Sequence, residues 1–148
     1  MKVEQHTHEF YEEVLREHRD LLAIVRRIRQ AIGDRRGGKS GLPTMLAELS
    51  AHLSTHFAFE SDGGYLNEAL ENAPRLQGRA DALEAQHPKL LTLVMELRQQ
   101  VNEGTESDAW WEHIEQRFAD FSKMLIEHES GENQLVQEAF DRDTGSQD

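Results

Sequence analysis

Six side chains carry the chemistry this sequence suggests: His18, His56, Glu60, His87, His128 and Glu132. Both glutamates follow a histidine by four residues, as His56-x-x-x-Glu60 and His128-x-x-x-Glu132, a separation that stacks the two side chains on one face of a helix. Imidazole nitrogens and carboxylate oxygens together suit first-row transition metals. The chain has eight histidines and no cysteine. That excludes a disulfide framework, a thiolate zinc site and a cysteine-ligated iron–sulfur cluster.

The elements that must position these residues are helical. The 148 residues contain three prolines and ten glycines. These cluster between long stretches rich in Leu, Ala, Glu, Gln and Arg, all good helix formers. One helix is expected from about Thr7 to Ile32, with Gly33 as its left-handed C-terminal residue. Further helices are expected from Leu42 to Glu71, with Pro43 tolerated in the first turn, from Pro74 to Val101, and from after Gly104 to about Phe140. The polar tail from Asp141 to Asp148 is expected to fray, and residues 1–148 are expected to form a single domain.

Each stretch carries an apolar stripe at alternating spacings of three and four. The first stripe is Val14, His18, Leu21, Val25, Ile28 and Ile32; the second is Met45, Leu49, His52, His56, Phe59 and Gly63, with Glu60 on the same face. The third is Ala80, Leu83, His87, Leu90, Val94, Leu97 and Val101. Trp111, Ile114, Phe118, Phe121, Leu125, His128, Glu132, Leu135 and Ala139 make the fourth. Strand-like alternation is absent, so the expected class is all-α, an antiparallel up-down-up-down four-helix bundle.

Every helix thus brings a histidine to its own core stripe, and two add a glutamate one turn later. An ionised carboxylate buried without a partner costs several kcal/mol even after relaxation, and no Lys or Arg lies on these stripes. A metal centre supplies the missing positive charge. The heights agree: at about 1.5 Å per residue, His18 and His56 both lie about 21 Å from the first turn, and Glu60 and His87 are similarly level about the second. His87 and His128 fit the third turn less well, so either the fourth helix starts later than its pattern or that turn is skewed.

Other features have simpler readings. His6, His8 and His113 are expected to face solvent, and Phe59, Leu91 and Leu125 to pack the bundle, with Leu125 also a candidate wall of an apolar gas pocket. Trp110 and Trp111 read as an end plug, with an exposed Trp110 available for a dimer contact. Pro88 after His87 is expected to kink its helix. Gly63 and Gly64 suggest a bend. Gly33-x-x-x-x-Gly38-Lys39-Ser40 has the spacing of a phosphate-binding loop, but the preceding segment has helical period where that loop needs a strand. His52-x-x-x-His56 lacks the glutamate of a zinc protease, and Glu84-x-x-His87 occurs without the second such pair that ferritin-like bundles need.

His18 within Glu-His-Arg-Asp-Leu-Leu, His56-x-x-x-Glu60, His87 before a Leu-Leu pair, and His128-x-x-x-Glu132 resemble the hemerythrin-like, or HHE cation-binding, domains across nearly the whole chain. The resemblance implies two iron ions, oxo- or hydroxo-bridged. It also implies His18, His56, His87 and His128 as nitrogen ligands, with Glu60 and Glu132 as bridging carboxylates. Oxygen-carrying members bind O2 without haem. They have a second histidine one turn after the first on the third helix, where this sequence has Leu91, and an aspartate where it has Asn133. Fewer imidazoles leave more positions for water, hydroxide or a diatomic ligand. His52 is a candidate pocket residue or outer partner of the centre, along with Leu91 and Leu125.

The implied function is binding of O2 or a related small ligand such as NO or peroxide. The alternatives are a di-iron redox enzyme, peroxidase-like or NO-reducing, and an iron or oxygen sensor. Manganese or zinc suits the same donors. A net charge of −12 disfavours nucleic acid and anionic membrane surfaces as partners. The longest wholly apolar run, Leu21 to Val25, is far short of the roughly 20 residues that span a bilayer. A cytoplasmic monomer or weak homo-oligomer is expected.

Overall fold

Stripes spaced three and four residues apart become four buried seams. The computed structural model describes residues 2–61, 70–71 and 73–145. Its long helices are α1 (Lys2–Gly33), α2 (Leu42–Ser61), α3 (Gln77–Glu103) and α4 (Asp108–Gly145), with 3-10 turns at Lys39–Gly41 and Pro74–Leu76 leading into α2 and α3. No strand occurs among the described residues. The expected continuation of the second helix towards Glu71, and the expected bend at Gly63 and Gly64, lie on residues outside those described.

Contacts between neighbouring helices run in opposite directions. Along α1 and α2, Glu17 meets His56 and Arg27 meets Glu48. Along α3 and α4, Arg79 meets Glu138 and Gln86 meets His128. Along α4, Asn133 meets His18 of α1 and Asp108 meets Arg35 of the loop after it. In each pair one number rises as the other falls, the arrangement of an up-down-up-down bundle.

The seams of α1, α3 and α4 are buried as their spacing predicts, apart from half-buried Leu83. α2 is rotated by one residue. Its buried side is Leu42, Leu46, Leu49, Leu53, His56, Phe57 and Glu60, whereas Met45 and His52 are half-buried and Phe59 is 40% exposed. Both stripes share Leu49 and His56, so periodicity along α2 alone does not separate them. Burying the leucines in place of Met45 and His52 sets more apolar surface against α1 and α3.

Two apolar clusters fill the interior. The larger includes Leu21, Ile28, Leu49, Phe57, Leu90, Val94, Phe118 and Leu125; the smaller consists of Val14, Ala73, Leu76, Ala80, Leu135, Val136 and Ala139. Between them lies a polar layer to which all four helices contribute.

The helix ends explain how the heights match. α1 does not turn left-handed at Gly33; the positive φ falls on Arg35, at 50°, whose guanidinium reaches Asp108 at 2.6 Å and lies 5.7 Å from the centroid of the Trp111 ring. These contacts hold Arg35 in the left-handed region, which costs a non-glycine residue roughly 1–2 kcal/mol. The third turn is skewed, because α4 starts at Asp108 but overhangs the end of α3 to meet the loop after α1. Ser107 Oγ caps it by accepting the Trp110 backbone N–H at 3.1 Å. Trp110 is buried, 7% exposed, so it offers no surface for a dimer contact; it packs T-shaped on Trp111 at 4.8 Å. A Cβ on Gly104 would stand 2.5 Å from the Trp110 ring, which is why this turn needs glycine. Lys39 donates to the Gly104 carbonyl, so the glycine-rich loop staples two turns after a helix and has no preceding strand to make it a phosphate cradle. α3 continues through Pro88. Among the described residues no helix is long and apolar enough to cross a membrane.

Candidate metal centre

The polar layer holds His18 from α1, His56 and Glu60 from α2, His87 from α3, and His128, Glu129 and Glu132 from α4, all buried. Their ligand atoms form two groups. His18, His56, Glu60 and Glu132 make one, and Glu60, His87, His128 and Glu132 make the other, each with its atoms within 4.8 Å of one another. Both glutamates are common to both groups.

Glu60 joins the groups through its two oxygens: Oε1 is 2.6 Å from His56 Nε2 and Oε2 is 2.9 Å from His87 Nε2. His128 Nε2 lies 2.6 Å from Glu132 Oε1. Adjacent ligands about 2.1 Å from one octahedral ion lie about 3 Å apart, so these groups are close enough to hold shared cations, at spacings that charged hydrogen bonds also have.

The other ring nitrogens show which way the histidines point. Nδ1 of His18 is 2.7 Å from Asn133 Oδ1, Nδ1 of His128 is 2.7 Å from Gln86 Oε1, and Nδ1 of His56 is 3.1 Å from Glu17 Oε2. Each oxygen accepts, so Nδ1 carries the hydrogen and donates, and Nε2 presents its lone pair inward. Nε2 of His56, His87 and His128 makes no hydrogen bond of good geometry, although carboxylate oxygens lie at contact distance. Imidazole nitrogens facing carboxylate oxygens in a buried layer require positive charge between them, which a proton or a metal ion supplies. Nitrogen and oxygen donors, without sulfur, fit iron, manganese or zinc.

Electrostatics of the bare chain show the same demand. Burial opposes a charged His56, but Glu129 and Glu60 outweigh it and push the ring up to about 10. Burial works to raise Glu60, yet the His56 and His87 rings against its oxygens hold it well below the usual carboxylate range. Glu129 is likewise held low by His18 and His56 against its burial. Burial pushes His128 down to about 4. A proton shared by His56 and its two carboxylates thus stands in for one cation.

The structure brings together all six residues singled out by spacing. His52 falls in neither group; it is half-buried and lines a surface groove of about 350 Å³ with Glu17, Glu48, Ala51, Thr55 and His56. Leu125 is fully buried in the larger apolar cluster, and Leu91 packs half-buried against that cluster. His113 is exposed, and the side chains of His6 and His8 lie outside the described residues.

Sequence reasoning missed Glu129, Gln86, Glu17 and Phe57. Glu129 is 2% exposed, its Oε2 2.5 Å from His18 Nε2 and its Oε1 3.5 Å from His56 Nε2. Its signal was adjacency to His128, which one-dimensional periodicity assigns to the flank of the seam. Phe57 stacks on His87 with centroids 4.0 Å apart and planes 6° from parallel, and its edge contacts include His128 at 5.6 Å. The seam shift in α2 placed this ring inside and Phe59 outside.

A family profile described as Hemerythrin HHE cation binding domain matches residues 9–140. Neither a curated protein nor a solved structure matches the chain.

Proposed function

The chain belongs to the hemerythrin HHE cation-binding domain family, and from that premise we propose that it holds two iron ions in the polar layer and binds O2 or a related small ligand there, such as NO or peroxide. The observation that carries this reading is Glu60, whose two oxygens face histidines of different groups. One group of His18, His56, Glu60 and Glu132, and another of His87, His128, Glu60 and Glu132, would hold one ion each. Iron, when bound, supplies the redox-active coordination positions at which a diatomic molecule is held.

The chain's own residues do the rest. Asn133, Gln86 and Glu17 fix the imidazole tautomers by accepting their Nδ1–H groups. Phe57 fixes the plane of His87 and, with the apolar clusters on both sides, keeps bulk water from the layer. A cavity of about 40 Å³, lined by residues including Glu60, Ala80, Glu84 and His87, reaches the centre from the side of the smaller cluster. That volume suits one water or one diatomic molecule.

Iron content after anaerobic reconstitution tests the proposal: near two ions per chain supports it, and persistent absence of iron refutes it. Leu91 favours the second reading, a redox enzyme, because it leaves a position without the imidazole that oxygen carriers have. Mixing the diferrous protein with O2 separates the two: reversible uptake marks a binding protein, and repeated consumption of O2 or peroxide with a reductant marks an enzyme.

A further inference from the structure

The centre contains a third buried carboxylate, and it sits on one side. Glu129 lies outside both four-residue groups, yet its oxygens approach the inward nitrogens of His18 and His56, at 2.5 and 3.5 Å. Neither oxygen makes a hydrogen bond of good geometry. With Nδ1 of His18 donating to Asn133, Nε2 faces the carboxylate, and the positive charge between them is a proton in the bare chain or a metal ion when one is bound. Glu60 and Glu132 are shared by both groups, whereas Glu129 approaches the nitrogens of the first alone.

The opposite pocket lacks such an addition. One turn beyond His87 the chain carries Leu91, an apolar side chain packed on the larger cluster. The small cavity that reaches the centre is lined by His87 and Glu60, with Asp81 and Glu84 among its other walls. We infer that Glu129 is a terminal ligand closing the His18–His56 cation position, so that the exchangeable position for a small ligand belongs to the His87–His128 cation.

This inference rests on the proposed binding of two cations, and its tests separate the two claims. His87→Ala with His128→Ala isolates the first pocket; His18→Ala with His56→Ala isolates the second. Each is titrated with Co(II), with and without Glu129→Gln, using samples whose helical circular dichroism matches the parent. In the first background Glu129→Gln should weaken Co(II) by more than about tenfold and change the position and intensity of its visible bands. In the second, affinity and bands should stay the same. A weakened affinity with unchanged bands in the first background would mean that Glu129 only positions His18 and would overturn the inference. Equal effects in both backgrounds, or none in the first, would overturn it too.

Azide probes the exchangeable position of the diferric protein. It should bind the wild type and fail to bind Leu91→His, whose added imidazole fills that position; absent binding to the wild type, or unchanged binding to the variant, counts against the assignment. Failure of the wild-type chain to take up two cations defeats the function itself, whereas two cations with Glu129→Gln acting equally on both pockets defeats this inference alone.

Discussion

Glu60 on α2 sets Oε2 2.9 Å from Nε2 of His87 on α3 while its other oxygen faces His56 on its own helix. One carboxylate therefore ties together the two halves of the polar layer. Removing it should affect both cation positions at once.

Glu60→Gln keeps the shape and removes the charge. Metal content should fall from near two ions per chain to below one, with helical content retained. Elemental analysis beside circular dichroism reads both quantities; a variant still holding two ions would show that Glu60 does not bridge.

Asn133→Leu removes the acceptor of the His18 Nδ1–H group without touching a proposed ligand. Loss of such an orienting partner costs about 10- to 100-fold in metal affinity. The effect should fall on one of two binding steps in a calorimetric titration. An equal loss on both steps would contradict the separation of the pockets.

Phe57→Ala should destabilise the bundle by about 3–5 kcal/mol, the usual range for a buried phenylalanine, and Phe59→Ala by far less. Urea unfolding of the two variants measures the difference. The reverse order would restore the seam that periodicity alone suggests for α2.

That pair shows how far the fold was legible. In α1, α3 and α4 a single stripe of spacing three and four is apolar, so the buried face follows from the letters. In α2 two adjacent stripes share Leu49 and His56, and only packing against α1 and α3 selects between them. The six converging residues were legible because histidines and glutamates on apolar stripes conflict with burial unless something neutralises them. Glu129 was not, since its burial depends on the angle at which α4 faces α1. Gln86 and Asn133 act through ring nitrogens whose direction no spacing encodes.

Metal-free protein should be most stable near pH 6.5. His56 is raised from 6.5 to about 10, so its contribution is complete below pH 6.5 and is lost as pH rises through 10. His128 is lowered from 6.5 to about 4, so its contribution is present above pH 6.5 and is lost as pH falls through 4. Glu60 and Glu129, both held low, add to the acid-side loss below their ordinary 4.5. Thermal melts of the chelated protein should fall off on both sides of pH 6.5, and His56→Gln should flatten the alkaline side. An unchanged alkaline slope in that variant would assign it to other groups.

The most direct test of the account is anomalous scattering at the iron edge from a crystal of the reconstituted protein. Two peaks about 3.5–4 Å apart are predicted, one among His18, His56 and Glu129 and the other between His87 and His128, with Glu60 and Glu132 spanning them. A single peak, or iron bound only at the surface, would contradict it.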